Sequence, residues 1–110
     1  MTVLTINGGK SMNRKILEQI TEAAKTEQKS TEHLLIKLME EVGEASQAYL
    51  STTKASGSEY KDLSLVDFQE ELVDILLVTL TLLKRTEISD EELENLLTKK
   101  ISKWLEKQGN

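Results

Sequence analysis

The sequence predicts an all-α fold, a four-helix bundle in one domain over residues 1–110 that is completed by oligomerisation. Three observations carry this. No proline interrupts the chain. Apolar residues recur at three- and four-residue spacing in four stretches, the period of a helix with one buried face. Serines stand where the later stretches begin, two of them with an acidic residue three positions on, the pattern of an N-cap with its reciprocal partner.

Residues 2–6, TVLTI, are β-branched and lead into Asn7-Gly8-Gly9, which reads as an extended arm over residues 1–11 ending in a turn, with no second strand evident to pair with it. A first helix is predicted over residues 12–27 from Ile16, Ile20, Ala23 and Ala24. Ser30 or Thr31 caps a second helix that runs to about Ser51. Residues 52–63 form a flexible loop by composition. Ser64 with Asp67 opens a third helix through about Lys84. Its Ile75, Leu76, Leu77, Val78, Leu80, Leu82 and Leu83 cover nearly the whole circumference, so it should be buried on all sides, and a partner subunit is inferred to cover it. Ser89 with Glu92 opens a fourth helix, whose apolar face is Leu93, Leu96, Leu97, Ile101, Trp104 and Leu105.

Composition narrows the function. A net charge of −5 argues against binding a nucleic-acid polymer, which needs a basic face to neutralise phosphates. With no cysteine and one histidine, disulfide frameworks, thiolate sites and His-rich zinc sites are excluded, while a hard metal held by oxygen is compatible. No uncharged run exceeds the length of residues 75–83, the most apolar of them, which falls far short of the roughly 20 residues of a membrane span. No long apolar segment of a secretory signal is present at the start, so the expectation is a soluble, cytoplasmic protein with no membrane partner.

The second helix places a carboxylate where a leucine belongs. Leu34, Leu38, Val42, Ala45, Ala48 and Tyr49 form one apolar arc, and Glu41 falls inside it. Glu44 lies at the edge of the arc beside Lys37 and His33; Glu40 points away. The third helix repeats the oddity, for Glu71 and Asp74 share a face just before the apolar run. If the two helices pack antiparallel, Glu41, Glu44, Glu71 and Asp74 converge. Like charges in a semi-buried site need a cation to stay ionised. Mg²⁺ suits them, since it takes oxygen ligands and is usually completed by substrate phosphates; Mn²⁺ fits as well. The plainer alternative is that such pairs are solvated faces with lysine partners one turn away.

On the fourth helix, Lys100 falls inside the apolar arc and Lys103 at its edge, placed to neutralise a phosphate beside the metal. Lys99 and Lys107 fit the simpler role of cations at a helix C-terminus. His33 and Lys37 are candidate substrate contacts, against a surface or capping role for His33. Trp104 reads as core or interface, and Tyr60 as a loop residue able to close over a ligand.

These residues resemble the MazG-like, all-α nucleotide pyrophosphohydrolases, whose mark is an E-x-x-E pair on one helix and an E-x-x-D pair on the next. Here the pairs are Glu41-Val42-Gly43-Glu44 and Glu71-Leu72-Val73-Asp74, flanked as LMEEVGEASQA and EELVDILLVTL, and the resemblance spans roughly residues 33–104. It implies a MazG-like bundle working as a homodimer or homotetramer. It further implies Mg²⁺-dependent hydrolysis of a nucleoside triphosphate to the monophosphate and pyrophosphate, with the metal on Glu41, Glu44, Glu71 and Asp74, and clearance of non-canonical nucleotides as one role. The fourth helix departs from the family pattern: Lys100 and Ile101 match, but Trp104 stands where relatives carry an arginine. The competing reading is a non-catalytic helical oligomer, an adaptor or regulator whose carboxylates pair with lysines across subunits.

Overall fold

The computed structural model describes residues 5–6, 10–53 and 64–109. It is all-helical apart from a two-residue antiparallel ladder: β1 (Thr5–Ile6) pairs with β2 (Lys10–Ser11), Thr5 opposite Ser11 and Ile6 opposite Lys10. This corrects the expectation of an unpaired arm. β2 runs straight into the first helix and carries no alternation of its own, so nothing in the sequence marks it as a strand. Four helices follow: α1 (Met12–Thr26), α2 (Thr31–Thr52), α3 (Leu65–Arg85) and α4 (Asp90–Gln108). The rest of the expected 52–63 loop beyond Thr53, Tyr60 included, lies outside the described residues.

The helix starts are set by local chemistry. Ser30 caps α2 by accepting from the His33 N–H at 3.1 Å. Ser64 and Asp67 form a full capping box at α3, as do Ser89 and Glu92 at α4. Each box satisfies two backbone donors that the first turn would leave without partners. The hydrogen bonds from Ser64 hold the Asp67 carboxyl below its ordinary range, and those from Ser89 do the same for Glu92.

The principal packing is α2 against α3, with α1 against α3 second. The first pair is antiparallel: Tyr49 near the end of α2 meets Phe68 near the start of α3, ring centroids 5.4 Å apart, while Leu34 and Lys37 share a cleft with Val78 and Thr81. Arg85 at the end of α3 donates to the Glu27 and Lys29 carbonyls and to Thr31 Oγ1, tying the α1–α2 connection to α3. The buried apolar residues are Ile20, Leu34, Ala45, Ala48, Val78 and Leu93, and no described side chain larger than that of Ser51 is fully buried.

That core is thinner than the sequence suggests. Of the predicted arc of α2, Val42 and Tyr49 are about half exposed. On α3, Leu72, Val73, Leu76 and Leu77 are exposed and only Val78 is buried, so a single chain does not enclose this helix. The apolar face of α4 is the least covered: Leu93 is buried, but residues 94–109 are all exposed in the single chain, Trp104 at 66%. α4 is fastened at its start, by Leu93, by half-buried Ile88 and by an ion pair between Lys84 and Asp90. The radius of gyration is 17.0 Å, against about 13 Å for a compact domain of this length. No helix among the described residues is long and apolar enough to cross a membrane.

Candidate metal centre

The antiparallel contact of α2 and α3 brings Glu41, Glu44 and Glu71 together, with one carboxylate oxygen from each lying within 4.8 Å of the others. Glu41 projects from the face of α2 that carries Leu34, Ala45 and Ala48, which is why it is only 7% exposed. Glu44 is one turn on and exposed; Glu71, across on α3, is half-buried. Glu41 Oε1 accepts from Lys37 Nζ at 3.2 Å. The remaining oxygens, Glu41 Oε2 and Glu71 Oε2, are buried without a hydrogen-bond partner. Buried polar atoms are normally paired, and two buried oxygens without partners, on two residues of one carboxylate group, are a pattern that a bound cation would resolve.

The electrostatics agree. The Glu71 carboxyl is pushed up from its ordinary value of 4.5 to about 7, first by burial, then by hydrogen bonding with the Glu41 and Glu44 carboxyls, and then by their charge. Lys37 is raised, chiefly by its hydrogen bond to Glu41 and then by that charge, with smaller contributions from Glu40 and Asp74. A group that resists ionisation at neutral pH, next to two like groups, is ready to exchange its proton for a divalent ion.

Three of the four predicted metal carboxylates therefore meet. Asp74 does not join the three: it is exposed, one turn further along α3, and lines a cleft with Val66, Gln69, Glu70 and Val73. Lys37, a predicted substrate contact, lies in the site as the partner of Glu41. His33 is exposed on the first turn of α2, where its backbone N–H serves the cap. Lys100 and Lys103 are exposed on the part of α4 that leaves the bundle. Sequence reasoning did not foresee the role of α1, whose Ala23 and Glu27 line a cleft of about 180 Å³ with Lys37, Val78 and Thr81; no spacing on α1 signals it.

The donor set is all carboxylate, which suits Mg²⁺ or Mn²⁺ and not a soft metal. In comparisons with known proteins, no family model, no curated protein and no solved structure matches the chain.

Proposed function

We propose that the chain is a Mg²⁺-dependent nucleoside triphosphate pyrophosphohydrolase acting as a homo-oligomer, with Glu41, Glu44 and Glu71 as metal ligands and Asp74 beside them. The observation that carries this is the meeting of three carboxylates from two helices with two buried oxygens left unpaired. The flanked E-x-x-E and E-x-x-D motifs on those same helices supply the reaction class. A divalent ion, when bound there, neutralises phosphate charge and acidifies a water. Mn²⁺ would serve in the same place.

The protein's own groups then have separate tasks. Glu41 is held in place by Lys37, which fixes one of its oxygens and leaves the other for the ion. Glu44 is the most accessible of the three carboxylates and the one best placed to meet solvent. Glu71, whose carboxyl is raised to about 7, would have to release its proton for a cation to bind there. Lys100 and Lys103, exposed on α4, remain the candidates for gripping phosphate.

A non-catalytic oligomer is the second reading, favoured by Lys37 already neutralising Glu41 from within one helix. Incubation with a panel of (d)NTPs and Mg²⁺, assayed for pyrophosphate, separates the two. The enzyme releases pyrophosphate from at least one nucleotide, and Mg²⁺ or Mn²⁺ raises its melting temperature. No release together with no metal-dependent rise sinks the enzyme reading.

A further inference from the structure

α4 carries an amphipathic face that its own chain leaves uncovered. On a helical projection Leu93, Trp104, Leu97 and Ile101 share one arc, and Lys100, Lys107 and Lys103 run along one edge of it. Beyond Leu93 this face is in solvent. The Lys84–Asp90 ion pair, buried Leu93 and the capping box at Ser89 anchor the start of α4, and from there it leaves the bundle.

A complementary face exists on the same molecule. The side of α3 turned away from α2 presents Val66, Val73 and Leu76, all exposed, with Glu70 and Asp74 along one edge. One face is apolar with a basic edge and the other apolar with an acidic edge. Both are of helical width, and soluble monomers rarely leave two such stripes open. Complementary charge selects the partner, since a basic-edged helix fits an acidic-edged one and is repelled by its own kind.

We propose that α4 of one copy lies across the outer face of α3 in a second copy, reciprocally, with Lys100, Lys103 and Lys107 facing Glu70 and Asp74. The exchange buries the two stripes against each other. It also carries lysines from one copy to the margin of the other copy's carboxylate site. This interface rests on the self-association in the reading above, but not on its chemistry.

The chain's single tryptophan and lack of cysteine make the test direct. The dimer, twice the 12.4 kDa of the chain, should dissociate in Ile101→Asp, with the dissociation constant raised on the order of 30-fold or more, helicity retained and Trp104 emission shifted to the red. In parallel, copies carrying Val73→Cys alone and copies carrying Ile101→Cys alone are mixed and treated with a bifunctional maleimide about 10 Å long, a reach matched to neighbouring helices. A mixed cross-linked dimer is expected. Because the cross-link leaves the contact in place, it decides the question even if Ile101→Asp unfolds. A monomer at every concentration overturns the interface and the self-association together. A dimer that gives no mixed cross-link and is unchanged by Ile101→Asp overturns the α4 exchange alone, and puts the α2–α3 groove around Val42, Tyr49 and Leu72 in the interface instead. Neither result touches the pyrophosphate assay, which judges the chemistry separately.

Discussion

Lys37 donates from Nζ to Glu41 Oε1 at 3.2 Å, one turn along the same helix, while Glu41 Oε2 stays buried without a partner. One half of a carboxylate is thus served by a cation from its own helix and the other half is left open. Lys37→Met keeps the apolar stem and removes the charge. The expected result is a lower melting temperature without metal and a larger rise on adding Mn²⁺ than in the parent protein. An unaltered metal response in a thermal titration would mean that Lys37 and the cation do not compete for Glu41.

The raised Glu71 carboxyl makes stability depend on pH in a stated direction. Its folded value is about 7, against 4.5 for the ordinary group. Between those values the folded protein keeps a proton that the unfolded chain has released, so metal-free stability falls as pH rises through that window and levels off above it. Glu71→Gln should remove this decline and be the more stable protein at pH 8 in the presence of a chelator. Unfolding curves at pH 4.5, 6 and 8 check it; the same downward slope in the variant would assign the decline to another group.

Glu44 and Asp74 should differ in degree. Glu44 belongs to the three converging carboxylates and Asp74 stands outside them. Glu44→Ala should abolish both turnover and the Mg²⁺-dependent rise in melting temperature while leaving helicity intact. Asp74→Asn should weaken metal affinity by roughly 10–100-fold, the usual cost of losing a supporting partner. Equal loss from both, measured by calorimetric titration with Mn²⁺, would bring Asp74 into direct contact with the ion.

Gly43 occupies the middle of α2 with no atom outside its own helix within 4 Å of the place its Cβ would take. Glycine in an exposed helix interior is about 1 kcal/mol worse than alanine. Gly43→Ala should therefore stabilise the chain by about that amount in urea unfolding. If it instead weakens association or activity, another molecule approaches the α2 backbone at that point.

Glu87 has φ of 65°, the left-handed conformation that follows α3, with its N–H bonded to the Lys84 carbonyl. Glycine takes this conformation without the clash that a Cβ suffers. Glu87→Gly should raise stability by about 1 kcal/mol, offset in part by the greater freedom of the unfolded chain. A loss of stability in denaturant titration would mean that the Glu87 side chain contributes more than its backbone costs.

The helix starts were legible because their determinants are local: Ser30, Ser64 and Ser89 each act within three residues. The carboxylate site was legible for a related reason, since Glu41 interrupts an apolar arc whose period is visible without any partner. Asp74 shows the limit of that reasoning. Helical spacing puts it on the face of Glu71, but its distance from α2 depends on how the two helices cross. The placement of α4 was not legible, because the turn at Glu87 and the Lys84–Asp90 pair set its direction and neither shows in a periodicity. The arc from Leu96 to Leu105 shows an apolar face in the sequence, but periodicity alone does not say whether its own chain covers it, and in the single chain it is exposed. The β1–β2 ladder was missed because two-residue strands carry no pattern.

Ser51 is the bulkiest of the fully enclosed side chains in the described structure, although Leu, Ile and Val are plentiful along the helices. Many of the large apolar side chains of the described residues are thus exposed in the single chain, which lacks much of the burial that ordinarily opposes chain entropy. If the two amphipathic stripes find each other between copies, the thermodynamic unit is the assembly, not the polypeptide. Its unfolding midpoint then has no single value: it climbs with the logarithm of protein concentration, and cellular abundance becomes a determinant of how much of the chain is folded.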